Sequence, residues 1–104
     1  MKILAIEKEV PGVTEEQFRP HLKKVEAVRV WELYQVGVFR ELYFRQDWPG
    51  AVLILECADV EEANKVLNTL PLVKEGLIAF DVTPLVPYTG FSRLFAEETL
   101  RNLD

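Results

Sequence analysis

The side chains best suited to chemistry in this chain are ionisable groups spaced along its predicted strands. Glu41, Tyr43 and Arg45 alternate within one segment, so a strand would point them to the same face. Glu56 and Asp81 fall on the same face of two other predicted strands. A carboxylate that loses solvation in an apolar pocket can take a proton from one carbon and return it to another. We interpret Glu41 as such a proton carrier and Tyr43 as a hydrogen-bond donor to a developing enolate.

Two arginines and two further carboxylates are the candidate substrate contacts. Arg45 or Arg40 could hold a substrate carboxylate through two parallel hydrogen bonds. Glu56 and Asp81 lie near strand ends, where the competing interpretation is a solvated surface charge. For Glu41, which falls mid-strand, the competing interpretation is a salt bridge to an arginine of another subunit, because an unpaired buried charge is costly.

His21 is the only histidine, and it follows Pro20 in a predicted helix. We include it as a substrate contact, with a surface or capping role as the alternative. The single cysteine, Cys57, is apart from it in sequence, so a metal site lacks its usual ligands. Neither GxGxxG nor GxxxxGK[ST] occurs. We therefore expect no metal and no cofactor.

Length and charge narrow the class of protein. The chain has 104 residues, enough for one domain, and a net charge of −5. Its densest basic stretch, residues 19–29, is interrupted by Glu26, so we expect no nucleic-acid partner. No apolar run approaches the roughly 18 to 20 residues that span a bilayer, and the N-terminal run is too short for a signal peptide. We expect a cytoplasmic protein without a membrane partner.

The elements that position these residues follow the order β-α-β-β-α-β. A helix is predicted from the Thr14–Gln17 capping-box spacing to about Gln35, and a second from Asp59 to the stop at Pro71. The predicted strands cover residues 2–8, 38–45, 51–57 and 77–86. This order is typical of an α+β ferredoxin-like domain, with a four-stranded antiparallel sheet and both helices on one face.

Alternation sorts the strand residues by face. We expect the helices to cover Leu4, Ile6, Leu42 and Phe44, together with Leu53, Leu55, Cys57, Ile78, Phe80 and Val82. The opposite face would carry Ile3, Ala5, Glu7, Phe39, Glu41, Tyr43, Arg45, Val52, Ile54, Glu56, Leu77, Ala79 and Asp81. Because the strands are apolar on both faces, this second face needs cover, which we expect from a second copy of the chain.

The chain divides into a ferredoxin-like domain at residues 1–88 and a tail at residues 89–104. Phe91, Leu94, Phe95 and Leu103 predict a short amphipathic helix in the tail. Termini are usually poorly ordered unless they dock. We expect the tail to pack against another subunit.

Two segments of the chain resemble the muconolactone isomerase family. Residues 37–45, GVFRELYFR, look like the second strand of that family. Residues 67–72, LNTLPL, followed by residues 81–85, DVTPL, resemble its helix end and closing strand. The likeness runs from Met1 to about Tyr88. It implies a barrel-forming dimer or larger homo-oligomer that isomerises a lactone acid of aromatic-compound catabolism without a cofactor. Arg40, Glu41 and Arg45 are the polar positions that match.

Three functions remain open from the sequence. The first is a cofactor-independent isomerase or lyase that acts on a small unsaturated lactone or carboxylic acid. The second is a non-catalytic module of the same fold that binds a small molecule or serves assembly. The third is a cofactor-free monooxygenase, because one fold of this kind hosts many chemistries.

Overall fold

The computed structural model describes residues 1–95 of the chain. The strands are β1 (Lys2–Glu9), β2 (Phe39–Phe44), β3 (Ala51–Glu56) and β4 (Ile78–Pro84). The helices are α1 (Pro20–Gln35), α2 (Val60–Leu67) and the four-residue α3 (Pro71–Lys74), with short 3₁₀ helices at Glu15–Gln17 and Gly90–Leu94. The four strands form one antiparallel sheet in the order β2-β3-β1-β4. The predicted α+β ferredoxin-like fold is confirmed.

The hydrophobic core lies between one face of the sheet and the helices. Leu33 of α1 and Ala63 and Leu67 of α2 pack with Ile3 and Leu55 of the sheet, and all five side chains are at least 95% buried. Burial of apolar surface in this layer makes the largest favourable contribution to the free energy of folding of a domain of this size.

Helix α1 begins later than predicted. The amide of Thr14 donates to Oε1 of Gln17 at 2.7 Å, as the capping-box spacing suggests, but only a 3₁₀ turn follows. The α-helix starts at Pro20, which occupies its first position. A proline is suited to that position because the first amides of a helix have no intrahelical acceptor, whereas inside a helix its ring meets the preceding turn.

The other helix ends follow local sequence signals. The amide of Glu62 donates to Oδ1 of Asp59 at 2.8 Å, which caps the N-terminus of α2. Gly37 follows α1 with a φ of 82°, a conformation that favours glycine. Pro71 lies past the end of α2, as predicted, and also opens α3.

The predicted faces of β1 are wrong. Ile3 pairs with Leu55 and Ala5 with Leu53, and all four are buried against the helices. Leu4 and Ile6 therefore point to the opposite face, which we call the open face. Glu7 lies on the helix side, because alternation along β1 keeps it with Ile3 and Ala5. An apolar run with no polar alternation gives no indication of which face is inside.

Strand β2 contains an irregularity that alternation cannot anticipate. Phe39 pairs with Leu55, yet Glu41 pairs with Ile54, so the register shifts by one residue between them. Phe39 was predicted on the open face; it lies in the core and is 1% exposed. Such a bulge places two residues of one strand opposite one of the next and reverses the alternation.

The open face is apolar at its centre and charged at its margins. Residue pairing across the strands places Leu4, Ile6, Val52, Ile54 and Ala79 there, each only partly exposed. The same pairing places Glu41 and Tyr43, together with Lys2, Lys8, Glu56 and Asp81, on this face.

Several apolar side chains that follow β4 are exposed to solvent. Val86, Tyr88, Phe91 and Phe95 are each more than 60% exposed, and the Tyr88 and Phe91 rings meet edge to face at 5.0 Å. The predicted tail helix extends past the described residues, and Leu103 lies outside them. In the described part of the chain, no helix combines the length and the apolar character that a membrane crossing requires.

Candidate functional site

The polar side chains of the open face form separate small groups. Tyr43 donates its hydroxyl proton to Oε1 of Glu41 at 2.8 Å, and this contact with the carboxylate raises the pKa of Tyr43. Both side chains are exposed. Glu56 accepts from the amino terminus of Met1 at 3.1 Å, and Asp81 pairs with Lys8 at 3.0 Å.

Each of the two candidate arginines forms hydrogen bonds with a residue close to it in the sequence. Arg45 lies just past β2 and binds both carboxylate oxygens of Asp47, at 2.9 and 2.7 Å. This bidentate contact raises the pKa of Arg45 and lowers that of Asp47. Arg40 donates through Nε to the carbonyl oxygen of Gly37. In the isolated chain each arginine therefore already has an acceptor.

His21 lies apart from the other sequence-predicted residues. It is exposed at the start of α1 and lines a shallow cavity of about 620 Å³ with Arg19, Leu22 and Glu75. The open face gathers Glu41, Tyr43, Glu56 and Asp81, and it does not include His21.

A second cleft, on the helix side of the sheet, has a volume of about 490 Å³. That size suits a small organic ligand, since such pockets span roughly 300 to 1,000 Å³. We call it the Glu7 cleft, after the carboxylate in its wall. The apolar part of its lining consists of Val10, Val13, Phe18, Trp48, Pro49, Leu77 and Ile78.

Glu7 is the half-buried carboxylate of this cleft. Its Oε1 accepts the backbone amide of Ala51, the first residue of β3, at 3.1 Å. Loss of solvation raises the pKa of Glu7, and the hydrogen bond from Ala51 offsets part of that effect. Lys23, on the first turn of α1, and Glu15 also line the cleft. A partly apolar cleft that holds a carboxylate of raised proton affinity and is also lined by a lysine can support acid-base chemistry.

Sequence reasoning missed this arrangement because it placed Glu7 on the wrong face. Lys23 had no assigned role, and neither did Glu26, which lies outside the cleft lining and accepts the backbone amide of Leu72 at 3.0 Å. A signal for Glu26 was present, since it lies four residues from both Leu22 and Val30 within the sheet-facing stripe of α1. A charged residue inside an apolar stripe usually has a specific partner.

Cys57 is 5% exposed, and its burial raises the pKa of the thiol, which disfavours a reactive thiolate. Within residues 1–95, no cluster of three or more histidine, cysteine, aspartate or glutamate side chains is arranged to hold a metal ion.

The architecture defines a ferredoxin-like α+β domain, and comparison with solved structures identifies a more specific fold within that class. Muconolactone isomerase aligns with a TM-score of 0.71 at 19% identity, over 86% of this chain and 92% of that chain. A 5-chloro-2-hydroxyhydroquinone dehydrochlorinase from Burkholderia phenoliruptrix AC1100, in complex with 2,5-dihydroxybenzoquinone, aligns with a TM-score of 0.66 at 20% identity, over 86% of this chain and 98% of that chain. The chain has a muconolactone isomerase-like fold.

The similarity of this chain to known proteins is seen in the three-dimensional structure. No protein-family model matches the sequence, and no curated protein matches it. At 19 to 20% identity, the two solved structures establish the fold of this chain.

Proposed function

We propose that this protein is a cofactor-independent enzyme that moves a proton on a small, partly apolar unsaturated lactone or carboxylic acid. The observation that carries the proposal is the half-buried Glu7 carboxylate, with its raised pKa, in the wall of a largely apolar cleft. A base of this kind works best when its pKa approaches the operating pH.

The proposed reaction balances within the substrate. Glu7 takes a proton from the carbon next to a carbonyl or carboxyl group, and the electron pair moves into an enolate. The double bond shifts as the same proton, or one from solvent, is returned to another carbon of the substrate. Lys23, which lines the cleft, would balance the charge of the substrate carboxylate or the enolate, and Trp48 and Phe18 would contact its apolar part.

The names of the two structural neighbours fit one shared elementary step. One is called an isomerase and the other a dehydrochlorinase. A proton shift and an elimination of hydrogen chloride can both begin with removal of a proton from carbon by a base. A single positioned carboxylate would serve either course, and the fate of the electron pair would decide between them.

The open face is the alternative location for the same chemistry. There Glu41 would carry the proton, Tyr43 would donate to the enolate, and Arg40 or Arg45 would hold the carboxylate. Glu56 and Asp81 would be the further contacts, whereas His21 lies away from this face and would take no part. This arrangement needs a cover over the exposed face, and a substrate would have to compete with Asp47 for Arg45.

We also propose that the protein is a homodimer or larger homo-oligomer, formed through the open face. Its apolar centre is flanked by two lysines and three carboxylates, so a two-fold partner could place opposite charges against each other. We propose that the tail at residues 89–104 docks on another subunit, because Phe91 and Phe95 are exposed. A cytoplasmic location stays our expectation from the sequence.

A binding or assembly module is the second candidate function. The Tyr43–Glu41 hydrogen bond favours it, because each group already satisfies the other without a ligand. A module of this kind would bind a small acid without exchanging its protons. A cofactor-free monooxygenase would instead form product only in the presence of dioxygen.

The test is proton NMR of an unsaturated lactone acid with the purified protein in heavy water. We compare the natural protein with Glu7→Gln, Glu41→Gln and, as a control on the exposed surface of α2, Glu61→Gln. Loss of exchange in Glu7→Gln alone supports the Glu7 cleft. Loss in Glu41→Gln alone moves the site to the open face.

The remaining outcomes decide between the candidate functions. Exchange that persists in both variants overturns both base assignments. Ligand line broadening without exchange in any protein supports the binding module. Product formation that stops when dioxygen is removed supports the monooxygenase.

A further inference from the structure

The loop between β2 and β3, residues 45–50, is closed by its own backbone hydrogen bonds. The amide of Arg45 donates to the carbonyl oxygen of Gly50 at 2.9 Å, and the amide of Gly50 donates to the carbonyl oxygen of Trp48 at 2.7 Å. Gly50 is buried and Trp48 is half-buried. The two hydrogen bonds therefore fix the backbone that carries the indole ring of Trp48.

The indole ring of Trp48 packs directly against Gly50. A Cβ atom at position 50 would overlap the ring atoms Cζ3 and Cε3 of Trp48 and would lie 3.1 Å from Cη2. Gly50 does not have a positive φ, so this position requires space for the ring and not a special backbone conformation. Any side chain at position 50 would displace the ring from its present place.

Arg45 restricts the same ring. Its guanidinium carbon lies 5.9 Å from the centroid of the Trp48 ring, within the range of a cation–π interaction. Asp47 holds this guanidinium through two hydrogen bonds, at 2.9 and 2.7 Å. The contact with Asp47 therefore orients Arg45 toward the indole.

The ring held in this way is part of the wall of the Glu7 cleft. Trp48 and Glu7 both line that cleft, and Trp48 is the largest side chain in its lining. Ala51, which follows Gly50 in the chain, donates its amide to Glu7 at 3.1 Å. One short segment thus supplies both the main aromatic surface of the cleft and the hydrogen bond to its carboxylate. Large aromatic side chains offer a ligand apolar surface with a defined shape.

We propose that Trp48 is the specificity-determining residue of the Glu7 cleft: its indole ring, held in place by Gly50 and Arg45, is the apolar wall against which the ring of a small planar acid binds. The proposal rests on the proposed function in taking this cleft as the binding site. Gly50 and Arg45 act through Trp48 and are positioning residues. The contact between ligand and indole requires no proton transfer, so it can be measured apart from turnover.

The probe is benzoate, which has a planar ring and a carboxylate but no proton on the carbon that bears the carboxyl group. The chain contains two tryptophans, so nitrogen-15 NMR of the protein shows two indole N–H signals, which Trp31→Phe assigns. We expect benzoate to move the Trp48 signal. The signal of Trp31, which is 57% exposed on α1, should stay in place.

Two substitutions test the ring and its support. Trp48→Ala should raise the dissociation constant of benzoate about tenfold, because it removes much of the apolar contact. The matched control, Trp31→Ala, removes an indole outside the cleft and should leave that constant unchanged. Gly50→Ala keeps the indole in the chain but displaces it. It should move the Trp48 signal of the free protein and weaken benzoate binding.

The role of Arg45 has its own variant. Arg45→Gln removes the guanidinium and should also move the Trp48 signal of the free protein, because the indole loses its cation–π partner. A Trp48 signal that is unchanged in both Gly50→Ala and Arg45→Gln overturns the positioning of the ring.

The outcomes separate this inference from the proposed function. Benzoate binding that leaves the Trp48 signal in place, or that keeps its full strength in Trp48→Ala, overturns the inference. Absence of benzoate binding also overturns it, even where a lactone acid exchanges its protons. If Trp48→Ala does not fold, Gly50→Ala decides. Benzoate binding that depends on Trp48, without proton exchange of the lactone acid in any protein, supports the inference and overturns the proposed reaction.

Discussion

Phe39 and Glu41 point to opposite faces of the sheet although they are only two residues apart in one strand. Phe39 pairs with Leu55 in the core, and Glu41 pairs with Ile54 on the open face. Regular alternation would put both side chains on the same face. The bulge between them allows β2 to anchor the core with an aromatic ring and still present a carboxylate to the other side.

The first prediction concerns the two phenylalanines of β2. Phe39→Ala should lower the free energy of unfolding by about 3 to 5 kcal/mol, because it removes a fully buried ring. Phe44→Ala, in the same strand, should change it by only about 0.5 kcal/mol, because Phe44 is 81% exposed. Urea denaturation followed by circular dichroism measures both. Equal losses would contradict the placement of Phe39.

The second prediction concerns the open face. Ile54→Lys should convert the proposed oligomer to a monomer, because it places a charge at the apolar centre of the face. The matched control, Asn64→Lys, adds the same charge on the exposed surface of α2 and should leave the assembly intact. Sedimentation velocity of the three proteins reports their masses. A natural protein that is already monomeric at high concentration would reject the proposed assembly.

The third prediction concerns pH and stability. Burial raises the pKa of Glu7 above 4.5, so the folded chain binds this proton more tightly than the unfolded chain. The stability that the folded chain gains from this tighter proton binding is fully present at low pH. It is lost as the pH rises through the folded-state pKa of Glu7. Glutamine does not titrate and can still accept the amide of Ala51. Glu7→Gln should therefore become more stable relative to the natural protein as the pH rises from about 4 to about 7.

Urea denaturation at several pH values measures this difference. Glu61→Gln serves as the control, because Glu61 is exposed on α2 and, among residues 1–95, forms its ion pair with Lys65 at the surface. A stability difference for Glu7→Gln that stays constant or shrinks with rising pH would show that the pKa of Glu7 is not raised in the folded chain.

The fourth prediction concerns the start of α2. Asp59→Ala should lower the free energy of unfolding by about 1 kcal/mol, because the amide of Glu62 loses its acceptor. Asp59→Asn keeps a side-chain oxygen at the same position and should retain most of that stability. Thermal unfolding of both variants at one pH makes the comparison. The capping role would be excluded if alanine and asparagine had the same effect.

Local signals in the sequence determined much of the fold. The order of strands and helices, the cap at Asp59 and the glycine after α1 all depend on residues within a few positions of one another. Such features are decided by backbone hydrogen bonds and steric preferences that neighbouring residues set. Even the late start of α1 has a local cause in Pro20.

Only the tertiary structure decided which residues meet. In β1 every early position is apolar, so alternation defines two faces without saying which one the helices cover; packing buries Ile3 and Ala5 and thereby brings Glu7 to the helix side. The bulge in β2 depends on pairing with β3, which the sequence of β2 alone does not contain. Glu26 and Leu72 are 46 residues apart and are joined by a hydrogen bond only when α1 packs against α3. Alternation is a property of one strand, whereas the inside of a protein is defined by what packs against it.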